Sequence, residues 1–155
     1  MKTNDNQTAQ RILIWGMALF LLGLLNGAAI PAFTNNRMGL SAHLAGVQNG
    51  MFLLIVGSIW HRIVLHDAWS KATATLAVFS MFGIWLALVV SAIWGTSDAT
   101  PIAGAGFEAS QEKELAVRIG LTLASVAAII STTSLLVGLF NGKGSTISST
   151  STQGE

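Results

Sequence analysis

Few side chains in this sequence can do chemistry, and they sit within long apolar runs: Asn26, His43, Gln48, Asn49 and Trp85, with hydroxyls such as Ser80, Ser91, Ser125 and the Ser131-Thr132-Thr133-Ser134 stretch. Hydroxyls can bond their own helix carbonyls, so they cost little in an apolar setting and say little about function. No Asp, Glu, Lys or Arg stands clearly inside any run. This argues against a proton-coupled carrier, which needs a titratable carboxylate at bilayer depth. His43 is the informative residue. On a helix turning about 100° per residue, Val47, Gly50 and Leu54 share its face and Gly46 flanks it, so the surface beyond the imidazole is nearly bare for roughly 10 Å. A flat macrocycle could lie over Gly46 and Gly50. One imidazole on iron, with the opposite coordination position open, makes a haem that binds or activates an oxygen atom rather than one that passes electrons. The competing reading is a histidine at the membrane interface that caps a helix or bonds a neighbouring carbonyl, and spacing alone favours it. A two-histidine haem within one chain is excluded. His61 follows His43 by 18 residues, about 27 Å along a helix, and His66 lies further still. Asn49 stands about 120° around the helix from His43, so an isolated helix does not aim both at one point. Trp85 falls mid-run, where an indole either packs, the commoner case, or lines a pocket for an aromatic ligand together with Asn26.

The elements that must position these residues are helices in a membrane. Of 155 residues, 8 are basic and 7 acidic, a charged share of 10%, where a soluble domain carries roughly 25%. Mean hydropathy is +0.61. The absence of cysteine removes disulfides, iron–sulfur clusters, zinc–thiolate sites and thiolate-bound haem. With a net charge of +1 and no basic cluster, nucleic acid is not a partner. About 20 apolar residues cross a bilayer as a helix, and four such runs occupy about 12–30, 42–65, 72–95 and 115–140, between an N-terminal tail (1–11) and a flexible C-terminal tail (141–155). No stretch alternates with period two, so the expected fold is an all-α integral membrane protein, a four-transmembrane-helix bundle. The first run exceeds the core of a secretory signal and is read as a span. An even number of crossings puts both termini on one side with the loop between runs two and three. That side collects Lys2, Arg11, Arg62, Lys71 and Lys143 against Arg37, Lys113 and Arg118, which favours cytoplasmic termini. Trp15, Trp60, Trp69 and Trp94 fall near run ends, where tryptophans anchor at the interface. Two small-residue ridges, Gly23 with Gly27 and Ala42-Gly46-Gly50 continued by Gly57, mark close helix contacts within or between protomers.

The stretch Asn36-Arg37-Met38-Gly39-Leu40-Ser41-Ala42-His43-Leu44-Ala45-Gly46-Val47-Gln48-Asn49-Gly50-Met51 resembles the signature of the bacterial hydroxylaminobenzene mutases: Arg-Met-Gly-Leu, then Ala-His, then Asn-Gly. The likeness extends through Leu21-Leu22-Gly23-Leu24 and Trp94-Gly95, roughly residues 11–140. The same segment is more distantly similar to styrene oxide isomerase, a four-helix membrane enzyme that uses ferric haem b as a Lewis acid. In that family the histidine ligates iron and the asparagine helps position the substrate oxygen. The resemblance carries these roles onto His43 and Asn49, makes Gly46, Gly50 and Arg37 candidate cofactor contacts, and implies a homotrimer with haem between protomers. Arg37 has a plainer reading as a marker of the water boundary, as arginines flanking spans commonly are. The isomerases place an aspartate and a tyrosine on the third helix, whereas ungapped continuation puts Ser80 and Leu88 there, and this chain has no tyrosine. The reaction implied is transfer of the hydroxyl of an N-hydroxyarylamine to the ortho carbon, giving a 2-aminophenol, in the inner membrane of a bacterium. The alternatives are a haem-dependent aryl epoxide isomerase and a non-catalytic small membrane transport or assembly protein.

Overall fold

The structure, a computed structural model, describes the backbone of residues 2–148 and the side chains of 6–142. Four long helices and one short one make it up: α1 (Lys2–Ala29), α2 (Asn36–Ile59), α3 (Asp67–Trp94), α4 (Pro101–Gly104) and α5 (Gln111–Ser148). There is no strand among the described residues. The four long helices are each long and apolar enough to cross a membrane, so the chain is an all-helical, multi-pass membrane protein. The helices outrun their apolar portions, because apolarity marks the part in lipid and not the point where helical hydrogen bonding stops. Thus α1 takes in most of the stretch expected as an N-terminal tail, and α5 runs on to Ser148; the rest of the expected C-terminal tail, 149–155, lies outside the described residues. The second span is shifted toward its N-terminus relative to expectation. Asn35 sets its start, its side-chain oxygen accepting from the Met38 amide at 3.1 Å, and α2 gives way to a 3-10 turn at Trp60–Arg62.

α1 and α2 form an antiparallel hairpin in which the two glycine ridges meet, so the ridges serve packing within one chain. A Cβ on Gly23 would lie 2.6 Å from the Val47 amide nitrogen, one on Gly46 would lie 2.6 Å from the Gly23 Cα, and one on Gly50 would lie 2.5 Å from the Phe20 amide nitrogen. In lipid, where helices gain nothing by hiding apolar surface from each other, such backbone contact is the source of association. α3 packs along α2, and α5 packs along α3. Among the described residues α5 makes no close backbone approach to α1 or α2, so the bundle is an open row. Its core, Ile12, Leu19, Leu53, Val56, Ala77 and Met81, lies mainly where α1, α2 and α3 converge, and Trp60 belongs to it at 2% exposure. Trp60 is therefore not the interfacial anchor its position suggested, since the 3-10 turn rolls the indole inward. Trp15, Trp69 and Trp94 are exposed.

The end of the row remote from the termini is stitched by side chains that bond to backbone. Buried Asn35 donates from its side chain to the Ala103 carbonyl at 2.9 Å and from its amide to the Ala92 carbonyl at 3.0 Å. The Thr34 hydroxyl donates to the Ile93 carbonyl at 2.7 Å. The Glu114 carboxylate, 7% exposed, accepts from the amides of Ser97 and Asp98. Gly95 ends α3 in the left-handed region (φ 66°), a conformation that costs a glycine no Cβ clash.

Candidate functional site

His43 lies about two turns past the Asn35 cap, half-buried, with its ring turned toward α1. Its Nδ1 stands 2.8 Å from the Gly23 carbonyl oxygen. A carbonyl only accepts, so Nδ1 carries a proton, and Nε2 is the ring nitrogen left to meet a partner. Nε2 has no hydrogen-bond partner among the described residues and is not sealed from the surface. The ring occupies the space a side chain at Gly27 would fill: a Cβ there would be 2.6 Å from Nδ1. Gly23 and Gly27 thus hold the imidazole as well as packing the hairpin. The spacing of the two glycines was visible in the sequence, but their role depends on the register that pairs them with His43. A ring nitrogen fixed by a backbone carbonyl, with the other nitrogen free to coordinate, is the arrangement in which histidine binds metals.

The other candidates are distributed around Gly46. Asn49 faces α3, not α1, its Nδ2 donating to the Met81 carbonyl at 2.9 Å; the structure does not bring it together with His43. Trp85 packs on Gly46, where an added Cβ would lie 2.8 Å from its Cδ1 and 2.9 Å from its Nε1. Its indole N–H is buried without a hydrogen-bond partner among the described residues. This N–H is an open donor beside the residue midway between His43 and Asn49 in sequence. Trp85 continues outward as an edge-to-face chain, 6.5 Å to Phe82 and from there 5.7 Å to Trp15. Asn26 is buried and donates to the Gly39 carbonyl at 3.0 Å, tying α1 to the first turn of α2.

One expectation is corrected. The face over Gly46 and Gly50 is not open to a macrocycle, because the α1 backbone occupies it at Gly23 and Phe20. A bare helix surface in the sequence is what a second backbone fills. Arg37 is exposed and donates to the Ala105 carbonyl, which makes it a tether of the α3–α5 connection at the water boundary. Ser80 is fully buried and spends its hydroxyl on the Ala77 carbonyl of its own helix at 3.0 Å. No cluster of three or more metal-binding side chains exists among the described residues, so any metal held by His43 must bring other ligands with it.

The structure thus offers one tethered imidazole in a row of four membrane-spanning helices. The chain belongs to the styrene oxide isomerase family, which it matches over residues 8–140. It is 38% identical over 138 residues to hydroxylaminobenzene mutase HabB of Ectopseudomonas oleovorans, covering 88% of this chain and 84% of that one. To hydroxylaminobenzene mutase HabA of the same organism it is 36% identical over 125 residues, covering 80% and 93%. No solved structure matches. This kinship makes the protein an isomerase.

Proposed function

We propose that this protein is an intramolecular hydroxyl transferase that rearranges N-hydroxyarylamines of the hydroxylaminobenzene type to 2-aminophenols, with ferric haem b held by His43. The observation that carries the reading is the imidazole itself: Nδ1–H fixed on the Gly23 carbonyl and Nε2 left without a partner among the described residues, in a chain whose relatives are named hydroxylaminobenzene mutases. An imidazole nitrogen presented this way would suit haem iron. The walls of a haem pocket are not supplied by one chain, since α1 fills the Gly46–Gly50 face. A homotrimer with the cofactor between protomers accounts for both facts.

In the reaction the N–O bond breaks, a C–O bond forms at the ortho carbon, that carbon loses a proton and the nitrogen gains one. The formula is unchanged and there is no net redox. When bound, ferric haem supplies Lewis acidity toward the departing oxygen, which otherwise needs strong acid to leave. The chain does the rest. The Gly23 carbonyl fixes the orientation of the His43 ring. The Trp85 N–H is the donor offered to a substrate oxygen, Asn49 fixes α3 against α2 through the Met81 carbonyl, and the Trp85 ring with surrounding aliphatic side chains holds the aryl group. A site at bilayer depth keeps water from a reactive aryl species. The excess of basic residues on the terminal side supports cytoplasmic termini in a bacterial inner membrane.

The test is to incubate the detergent-purified protein with hydroxylaminobenzene, follow 2-aminophenol by chromatography, and record the visible spectrum. The expected result is conversion together with a Soret band, both lost in His43→Ala. Full turnover by a haem-free His43→Ala protein would refute the role given to His43. A second reading, rearrangement of an aryl epoxide, draws on the description of the family; conversion of styrene oxide but not of hydroxylaminobenzene would establish it. The enclosed Ser80 hydroxyl and the aliphatic Leu88, where the isomerases carry an acid and a phenol, favour the mutase.

A further inference from the structure

α1 and α3 approach each other far less than either approaches α2. Toward the terminal end they part around a cleft of about 680 Å³. Its walls include Ile12, Trp15, Val78, Phe79 and Phe82, and its mouth carries Arg11 and Lys71. Trp15 and Phe79 are 51% and 67% exposed, so the cleft opens sideways onto the bilayer. Its size argues against the substrate as occupant, because a cavity of about 150 Å³ already holds benzene. Its length points elsewhere. From Gln7 to Trp15 and from Lys71 to Phe82 the walls run about 12 to 17 Å at the rise of a helix, and one leaflet contributes about 15 Å of the hydrocarbon core. No carboxylate lines the cleft, and neither cation at its mouth has a hydrogen-bond or ion-pair partner among the described residues.

We infer that the α1/α3 cleft binds one anionic phospholipid from the leaflet on the terminal side, its phosphate between Arg11 and Lys71 and one acyl chain against Trp15, Phe79 and Phe82. The apolar walls accept any acyl chain, so the selectivity lies in the two cations. At the strength usual for basic residues near an anionic membrane surface, they set a preference of roughly ten- to thirtyfold over a zwitterionic lipid.

The test titrates the intact protein in detergent with phosphatidylglycerol or phosphatidylcholine and counts bound lipids by native mass spectrometry. One phosphatidylglycerol per chain should bind with that preference, and Arg11→Gln/Lys71→Gln should bring the two lipids level without changing phosphatidylcholine binding. In a second measurement, phosphatidylglycerol with brominated acyl chains should quench tryptophan fluorescence more than brominated phosphatidylcholine does. Trp15→Phe, which keeps an aromatic wall, should abolish the excess. This variant decides the question even if the double variant does not fold. Equal affinities in the native protein, a preference that survives removal of both cations, or excess quenching that survives Trp15→Phe would each overturn the inference. So would a cleft shielded from every lipid because a second copy of the chain fills it.

Discussion

At His43 orientation is set by what is missing from α1. Gly27→Ala adds a single methyl 2.6 Å from Nδ1, and the ring must give way because the methyl cannot. The variant should stay folded, since the displaced group is a side chain, yet lose turnover by at least tenfold, as expected when a positioned group is moved by about 1 Å. Steady-state kinetics beside a thermal melt separates the two effects. Trp85 allows a complementary experiment. Trp85→Phe keeps a ring in place and removes a buried donor that has no partner, so stability should hold or rise. If the indole N–H serves the substrate oxygen, kcat/KM falls about tenfold, the equivalent of about 1.4 kcal/mol. His43, Asn49 and Trp85 were all legible in the sequence, as polar or bulky groups stranded in apolar runs. Which neighbour each one faces was not. Helical angle says what shares a face but not which helix covers it, and so Asn49 proved to bond α3 and Gly46 proved to lie under α1.

Among the elements, the α1/α2 hairpin is the most demanding, because its contacts are backbone on backbone. Gly46→Ala places a methyl against both the Gly23 Cα and the Trp85 indole. Overpacking of this kind costs about 1–3 kcal/mol and should appear as a lower midpoint for unfolding in detergent, with Gly120→Ala, which meets nothing within 4 Å, as the neutral control. The remote end depends on Asn35, which joins the start of α2, the end of α3 and α4. Asn35→Asp keeps the cap and loses the amide that donates to Ala103, whereas Asn35→Ala loses both. The two should fall in that order, with the cap alone worth about 0.5–2 kcal/mol in the same unfolding measurement. The number and type of these elements follow from apolar run length and the lack of period-two alternation. Their ends do not, because caps and 3-10 turns rest on single polar residues such as Asn35.

Seen whole, the molecule is asymmetric across its width. α1, α2 and α3 converge on a shared core, while α5 leans on α3 with a long apolar face bare, Leu123 and Ile129 being 64% and 67% exposed. Lipid can cover such a face; the homotrimer proposed above adds that a second copy stands near His43, and this can be tested. Because the chain has no cysteine, an engineered one reports cleanly. Leu44→Cys, next to His43 in sequence and 48% exposed, should cross-link between copies in the membrane. Ile102→Cys, 89% exposed in α4 at the remote end, should not.

The two ends of the protein are tied in different places. One is laced shut by Asn35, Thr34, Arg37 and Glu114. At the other, α1 and α3 part around the cleft, and the ties run instead between Val64 and Gly138 and Asn141 of α5. Thermal breathing concentrates where fewest contacts must open, so the α1/α3 side is where the lipid inferred above would exchange with its leaflet, and the laced rim is the fixed end of the bundle.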